Sequence, residues 1–155
     1  MKKFSLTELI ISIVFAELVG AVSALLAGDF RGLYTELIQP PLAPPSWIFP
    51  VVWAVLYALM GITSYMIYRS DNYRRNSALT VYLVQLAVNF SWSIIFFRFQ
   101  LFTLAAVVAV ILTVLVGIMI CMFLSIRKKA GYLNIPYLLW MIFASYLAIG
   151  TILLN

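Results

Sequence analysis

Five residues between positions 82 and 96 could do chemistry together. Tyr82, Gln85, Asn89, Trp92 and Phe96 stand at spacings of 3, 4, 3 and 4, which puts them on one face of a helix. Gln85 and Asn89 bring amide donors and acceptors, Tyr82 a hydroxyl, and Trp92 and Phe96 flat apolar rings. A second stripe runs Trp53, Tyr57, Gly61 (or Met60), Ser64 and Tyr68; a third runs Tyr137, Trp140, Ala144, Leu147 and Thr151. Three faces that each combine a large aromatic residue with small or polar partners can wall a cavity. Such a cavity suits a flat, greasy ligand, because rings stack on rings and bury large areas. The polar members of the stripes also have a plainer reading, as hydrogen bonds between helices. Ground-state catalysis finds little here: there is no acid–base pair, nucleophile or metal constellation, and histidine is absent.

The elements that position these stripes follow from composition. Of 155 residues 65% are hydrophobic and 10% charged, and the mean hydropathy is +1.09. A soluble domain carries about 25% charged residues and would aggregate with so little polar surface. Apolar runs of about 20 residues recur, each able to span a ~30 Å hydrocarbon layer. They lack the period-2 alternation of barrel strands, so they are expected to be helices. The expected fold is an all-α integral membrane protein, a single domain over 1–155 with spans at 6–27, 46–69, 77–97, 101–126 and 135–154. The first run contains Glu17 and no small-residue cleavage site, which argues against a cleaved signal peptide. Asn134 is the expected N-cap of the last span, with Pro136 in its first turn.

Five spans alternate the connectors between two sides. One side takes Lys2, Lys3, Arg69, Arg74, Arg75, Arg127, Lys128 and Lys129, the other Arg31 and Arg98, a division of 8 against 2. The positive-inside rule then predicts a cytoplasmic N-terminus and an outer C-terminus. The net charge of +5 therefore concerns orientation, and no nucleic-acid partner is expected. Cys121 stands alone inside an apolar run, so no disulfide framework forms. No internal repeat or paired intramembrane charge supports a coupled transporter.

The connector 28–45 is long for a helical bundle and carries Tyr34, Glu36 and Gln39-Pro40-Pro41-Leu42-Ala43-Pro44-Pro45. Prolines fix φ and remove donors, so this segment is expected to be a stiff, non-helical lid on the outer face. Trp47 fits an interface anchor, whereas Trp53 and Trp92 lie too deep for one. Ala16, Gly20, Ala24 and Gly28 form a small-residue ridge, read as packing within one chain ahead of a dimer seam; Ala109, Thr113, Gly117 and Cys121 are read with the same caution. Glu17 lies midway along the first span, where an ionised carboxylate is expensive. It is expected to be protonated, hydrogen-bonded or facing the cavity.

At this point the chain resembles a known family. The stretch 34–65, YTELIQPPLAPPSWIFPVVWAVLYALMGITSY, with QLAVNFSWSIIFF at 85–97 and IPYLLWMIFASYL at 135–147, resembles the translocator protein family (TspO, or the peripheral benzodiazepine receptor family). The resemblance covers essentially the whole chain. It implies a five-helix bundle, commonly a homodimer, with a pocket beneath the first long loop. It also implies binding of tetrapyrroles such as protoporphyrin IX and haem, and of synthetic isoquinoline or benzodiazepine-type ligands; some members bind cholesterol. By motif position the family's pocket residues fall on Tyr34, Trp53, Tyr57, Asn89, Trp92, Trp140 and Ala144; the stripes and the mid-span carboxylate add Gln85, Tyr137 and Glu17 as secondary candidates.

The chain departs from the family pattern at Leu33, Gln39, Ala148, Ile152 and Leu153, and no basic residue follows Lys129. The C-terminal sterol motif is therefore missing. Without histidine, stacking of a metal-free porphyrin is the better match than axial ligation of haem. The expected function is a membrane receptor that senses, sequesters or translocates tetrapyrroles. One alternative is light-dependent porphyrin degradation with Trp53 and Trp140 as photochemical residues; another is a transporter of small amphipathic molecules. The basic inner face, and a short chain without a targeting extension, fit a bacterial cytoplasmic membrane.

Overall fold

The computed structural model describes residues 3–155, so Lys2, counted above with the basic side, lies outside the described residues. The helices are α1 (Leu6–Ala27), α2 (Phe30–Glu36), α3 (Ile48–Tyr68), α4 (Arg75–Ser93), α5 (Phe102–Ile126), α6 (Lys128–Leu133) and α7 (Ile135–Leu154). A π-helical turn, Ile94–Arg98, continues α4, and no strand occurs among the described residues. Five helical stretches are long and apolar enough to cross a membrane: α1, α3, α4 with its π-turn, α5, and α6 running into α7. Their outward faces expose Ile11, Leu18 and Leu25 on α1 and Val107, Val114 and Ile118 on α5. Lipid tails cover such a surface and water does not. The chain is an integral, multi-pass membrane protein.

Local chemistry sets the helix ends. Ser5 caps α1 by accepting from the Glu8 amide at 3.3 Å, and Gly28, at φ 82°, ends the helix in a conformation L side chains rarely adopt. Two expectations need correcting. The first connector is not wholly non-helical. Asp29 accepts from the Gly32 amide at 3.0 Å and caps α2, and only the proline-rich half is extended. Asn134 does occupy the N-cap position of α7 with Pro136 in the first turn, but its side chain makes no capping bond. The chain is already helical through α6, so its Nδ2 is free to donate to Thr63 Oγ1 and to the Ala130 carbonyl, both at 2.9 Å.

Packing places α1 chiefly against α3, α5 against α7, and α4 between α1 and α5; α3 and α7 touch sparsely, so the ring of helices closes loosely there. The lower half of the small-residue ridge of α1 packs inside the chain, where Ala16 is fully buried and Gly20 sits against the Tyr57 ring, whereas Ala24 and Gly28 are exposed. Facing it, Gly61 lets α3 approach the backbone of Ile13. Side-chain bonds tie the helices together. Ser23 Oγ donates to the Phe90 carbonyl at 2.7 Å, Thr113 and Ser145 hydroxyls pair at 3.2 Å, and Arg69 meets Glu8 at 2.9 Å.

Candidate functional site

The connector between α1 and α3 lies over the bundle and is fastened mainly to α7. The Tyr146 hydroxyl donates to the Pro41 carbonyl at 2.6 Å; the Ile38 amide donates to Asn155 Oδ1 at 3.0 Å, and Asn155 Nδ2 returns a bond to the Ile38 carbonyl at 2.9 Å. Within the loop, the Tyr34 hydroxyl donates to the Pro44 carbonyl and Gln39 Nε2 donates to the Tyr34 carbonyl at 2.7 Å. Burial pushes the Tyr34 phenol up from its ordinary value, so it stays neutral and keeps the proton it donates. On the α1 side the lid rests on ring contact, Phe30 against Phe97 with centroids 5.7 Å apart.

Beneath the lid are two cavities. The larger, about 150 Å³, is walled by Gly20 and Ala24 of α1, Trp53 and Tyr57 of α3, and Trp92 and Phe97. The smaller, about 40 Å³, lies toward α7 and is lined by Tyr34, Gln39, Phe96, Ala144 and Thr151 among others. Phe49, Trp92 and Phe97 belong to both linings and form the partition. Trp92 is held there by its indole N–H, which donates to the Ala105 carbonyl of α5 at 3.0 Å, and by stacking on Phe96 with centroids 5.4 Å apart. Phe97 reaches the partition because the π-turn re-aims it, a common use of such turns at functional sites.

Under the larger cavity runs a buried chain of hydrogen bonds through α3, α4 and α7. The Tyr57 hydroxyl donates to Asn89 Oδ1 at 3.3 Å, Asn89 Nδ2 donates to the Tyr137 hydroxyl at 2.8 Å, and Tyr137 donates to Gln85 Oε1 at 2.6 Å. Gln85 Nε2 ends the chain on Met60 Sδ at 3.7 Å. The plainer reading of the polar stripes, hydrogen bonds between helices, holds for these residues. Gln85, Asn89 and Tyr137 hold helices together, and Tyr57 joins that chain to the cavity wall.

The structure therefore brings Trp53, Tyr57 and Trp92 together on the larger cavity, and Tyr34, Trp92 and Ala144 on the smaller. Asn89, Gln85 and Tyr137 lie below, with Tyr137 packed edge-on against Trp53 at 6.2 Å. Trp140 lines neither cavity. It packs on Phe49 and Phe143 along an outward groove between α3 and α7, and its indole nitrogen is buried without a hydrogen-bond partner among the described residues. Glu17 is half-buried one turn below Gly20; it lines neither cavity and has no hydrogen bond among the described residues. Sequence reasoning missed Phe49, Phe97 and the α1 wall. The Ala16–Gly20–Ala24 spacing was the one available signal for that wall.

Comparison with known proteins assigns the family. The TspO/MBR family pattern matches residues 11–154. The chain is 33% identical to "Tryptophan-rich protein TspO" of Archaeoglobus fulgidus over 149 residues, covering 90% of this chain and 97% of that one. It is 31% identical to "Protein CrtK" of Rhodobacter capsulatus over 153 residues, 97% of this chain and 94% of that one. It is 32% identical to "Translocator protein" of Bos taurus over 117 residues, 74% of this chain and 69% of that one. A pattern that spans all five membrane helices and relatives matched over most of their length leave one conclusion: the chain belongs to the TspO/MBR family.

Proposed function

We propose that this protein binds tetrapyrroles, protoporphyrin IX foremost and haem second, together with similar flat hydrophobic ligands, and senses, sequesters or translocates them. The observation that carries the reading is the pair of aromatic cavities under one lid, divided only by the side chains of Phe49, Trp92 and Phe97. Drug-sized ligands occupy pockets of about 300–1,000 Å³, which exceeds either cavity. Entry of a tetrapyrrole therefore requires the partition to move and the cavities to merge. Stacking on Trp53 and Trp92 supplies the affinity, and with no imidazole in the chain a metal-free ring loses nothing against a metallated one. The protein works in a bacterial cytoplasmic membrane with its basic side inward, as a homodimer, under this proposal.

The test is protoporphyrin IX titrated in darkness into the chain in nanodiscs, followed by the porphyrin's own absorbance and emission. Trp53→Phe and Trp92→Phe are expected to weaken saturable binding about three- to tenfold, the worth of an aromatic contact of ~0.5–1.5 kcal/mol, while Trp140→Phe stays near wild type. Phe97→Ala thins the partition and is expected to tighten binding about fivefold by removing part of the opening cost. No saturable binding, or binding indifferent to all four substitutions, removes the reading. Illuminating the same samples tests the photochemical alternative: intact porphyrin supports a receptor, a defined ring-opened product an enzyme.

A further inference from the structure

The two ends of the bundle differ in how their charges are balanced. At the end where α3 stops and α4 and α6 begin, Glu8 is paired with Arg69 at 2.9 Å. That leaves one carboxylate, Asp71, against Lys3, Arg74, Arg75, Arg127, Lys128 and Lys129 among the described residues. No acidic residue follows Asp71 in the sequence, so α5, α6 and α7 bring no counter-charge of their own. At the opposite end Arg31 and Arg98 stand against Asp29 and Glu36, and that end is neutral within the chain. The uncompensated cations of the first end therefore call for anions from outside the chain.

The short helix α6 holds part of this charge in a fixed frame. Ala130, Gly131 and Asn134 are buried on one side of it, while Lys128, Lys129, Tyr132 and Leu133 are exposed on the other. The buried side is pinned twice. Gly131 lies so close to α5 that a Cβ there would stand 3.0 Å from the Leu124 backbone nitrogen, and Asn134 Nδ2 donates to Thr63 Oγ1 of α3 at 2.9 Å. Because α6 belongs to the same membrane-spanning stretch as α7, its outer side borders the edge of the hydrocarbon layer. At that depth Tyr132 and Leu133 meet acyl chains, and the lysine stems reach past them to the phosphates. A soluble polyanion would satisfy the cations but would leave Tyr132, 58% exposed, and Leu133 against water. We propose that the outer side of α6 is a contact surface for anionic phospholipid, with Lys128 and Lys129 on the headgroup phosphate and Tyr132 and Leu133 on the chains below it. Neither cavity under the lid is lined by a residue of α6, so this surface is separate from the tetrapyrrole reading.

The experiment is native mass spectrometry of the full chain in detergent micelles, titrated with phosphatidylglycerol or phosphatidylcholine of identical acyl chains. The first phosphatidylglycerol is expected to bind about fivefold tighter than the first phosphatidylcholine, the effect of one cation at a charged lipid surface. Lys128→Gln/Lys129→Gln is expected to bring the two lipids to within about twofold of each other, and Lys128→Arg/Lys129→Arg to keep the preference. Arg31→Gln/Arg98→Gln, at the balanced end, is expected to leave it unchanged. Equal binding of the two lipids by the wild type overturns the proposal. So does a preference that survives Lys128→Gln/Lys129→Gln, or one that falls as far in Arg31→Gln/Arg98→Gln. The chain-free headgroup glycerol 1-phosphate, at equal concentration, is expected not to displace phosphatidylglycerol; displacement would overturn the lipid assignment in favour of a soluble phosphate.

Discussion

Substituting Gly61 by valine is expected to lower stability by about 3 kcal/mol or more, the upper end of what overpacking costs. A Cβ at this position would lie 2.5 Å from Ile13 Cα, 2.9 Å from the Ile13 nitrogen and 2.9 Å from the Ser12 carbonyl oxygen. All three are backbone atoms of α1, so no rotamer change relieves the clash. The helices must separate, and the α1–α3 contact that buries Ala16 and seats Gly20 on Tyr57 is lost along with one wall of the larger cavity. Gly117 is the control: a Cβ there meets nothing within 4 Å, so Gly117→Ala should cost nothing. Reversible unfolding by SDS in mixed micelles measures both. A Gly61→Val protein as stable as the Gly117→Ala protein would mean that α1 and α3 are not so close.

The second large effect falls on Asn89, which is 2% exposed. Asn89→Leu keeps the number and branching of the side-chain heavy atoms, yet it removes the acceptor of Tyr57 and the donor to Tyr137 at once. Hydrogen bonds between membrane helices are worth about 0.6 kcal/mol on average, but a buried donor left without a partner costs about 1–3 kcal/mol. The sum is expected near 2–3 kcal/mol in the same unfolding assay. The diagnostic is the double variant Asn89→Leu/Tyr57→Phe. It removes the stranded hydroxyl and should recover part of the loss, so that two substitutions cost less than one. Strict additivity would show that Tyr57 and Asn89 do not act as a pair.

Much of this architecture is legible in the residues because lipid penalises polarity so heavily. Gln85 and Asn89 had to face inward, and the 3.6-residue period then carried Tyr82 and Phe96 in with them. The same logic placed Tyr137, Ala144, Leu147 and Thr151 on the buried side of α7. Trp140 escaped it. By the 100° period it falls within the stripe, between Thr151 and Leu147, yet its ring packs on Phe49 and Phe143 along the neighbouring groove. Periodicity names a face but not the atoms it meets, so it could not say that Asn89 would bond to Tyr57 and Tyr137. The helix α2 was hidden because its signal is one Asp-Gly capping contact in a stretch dominated by prolines. Phe97 was hidden because five residues past Trp92 it would point about 140° away on an α-helix, and only the wider π-turn brings it back.

That π-turn also sets a rule about chain length. Its hydrogen bonds reach one residue further than those of an α-helix, as the Phe99 amide to the Ile94 carbonyl at 3.1 Å illustrates. The segment 94–98 thus holds one residue more than an α-helical path would need. Removing a single residue there would let the turn rewind as ordinary helix with its backbone bonds intact and the residues on either side in their present register, while the rings inside the turn are re-aimed. Deleting Ile94 or Ile95, which line neither cavity, is therefore a way to reshape the wall between the two cavities without altering any of the side chains that compose it.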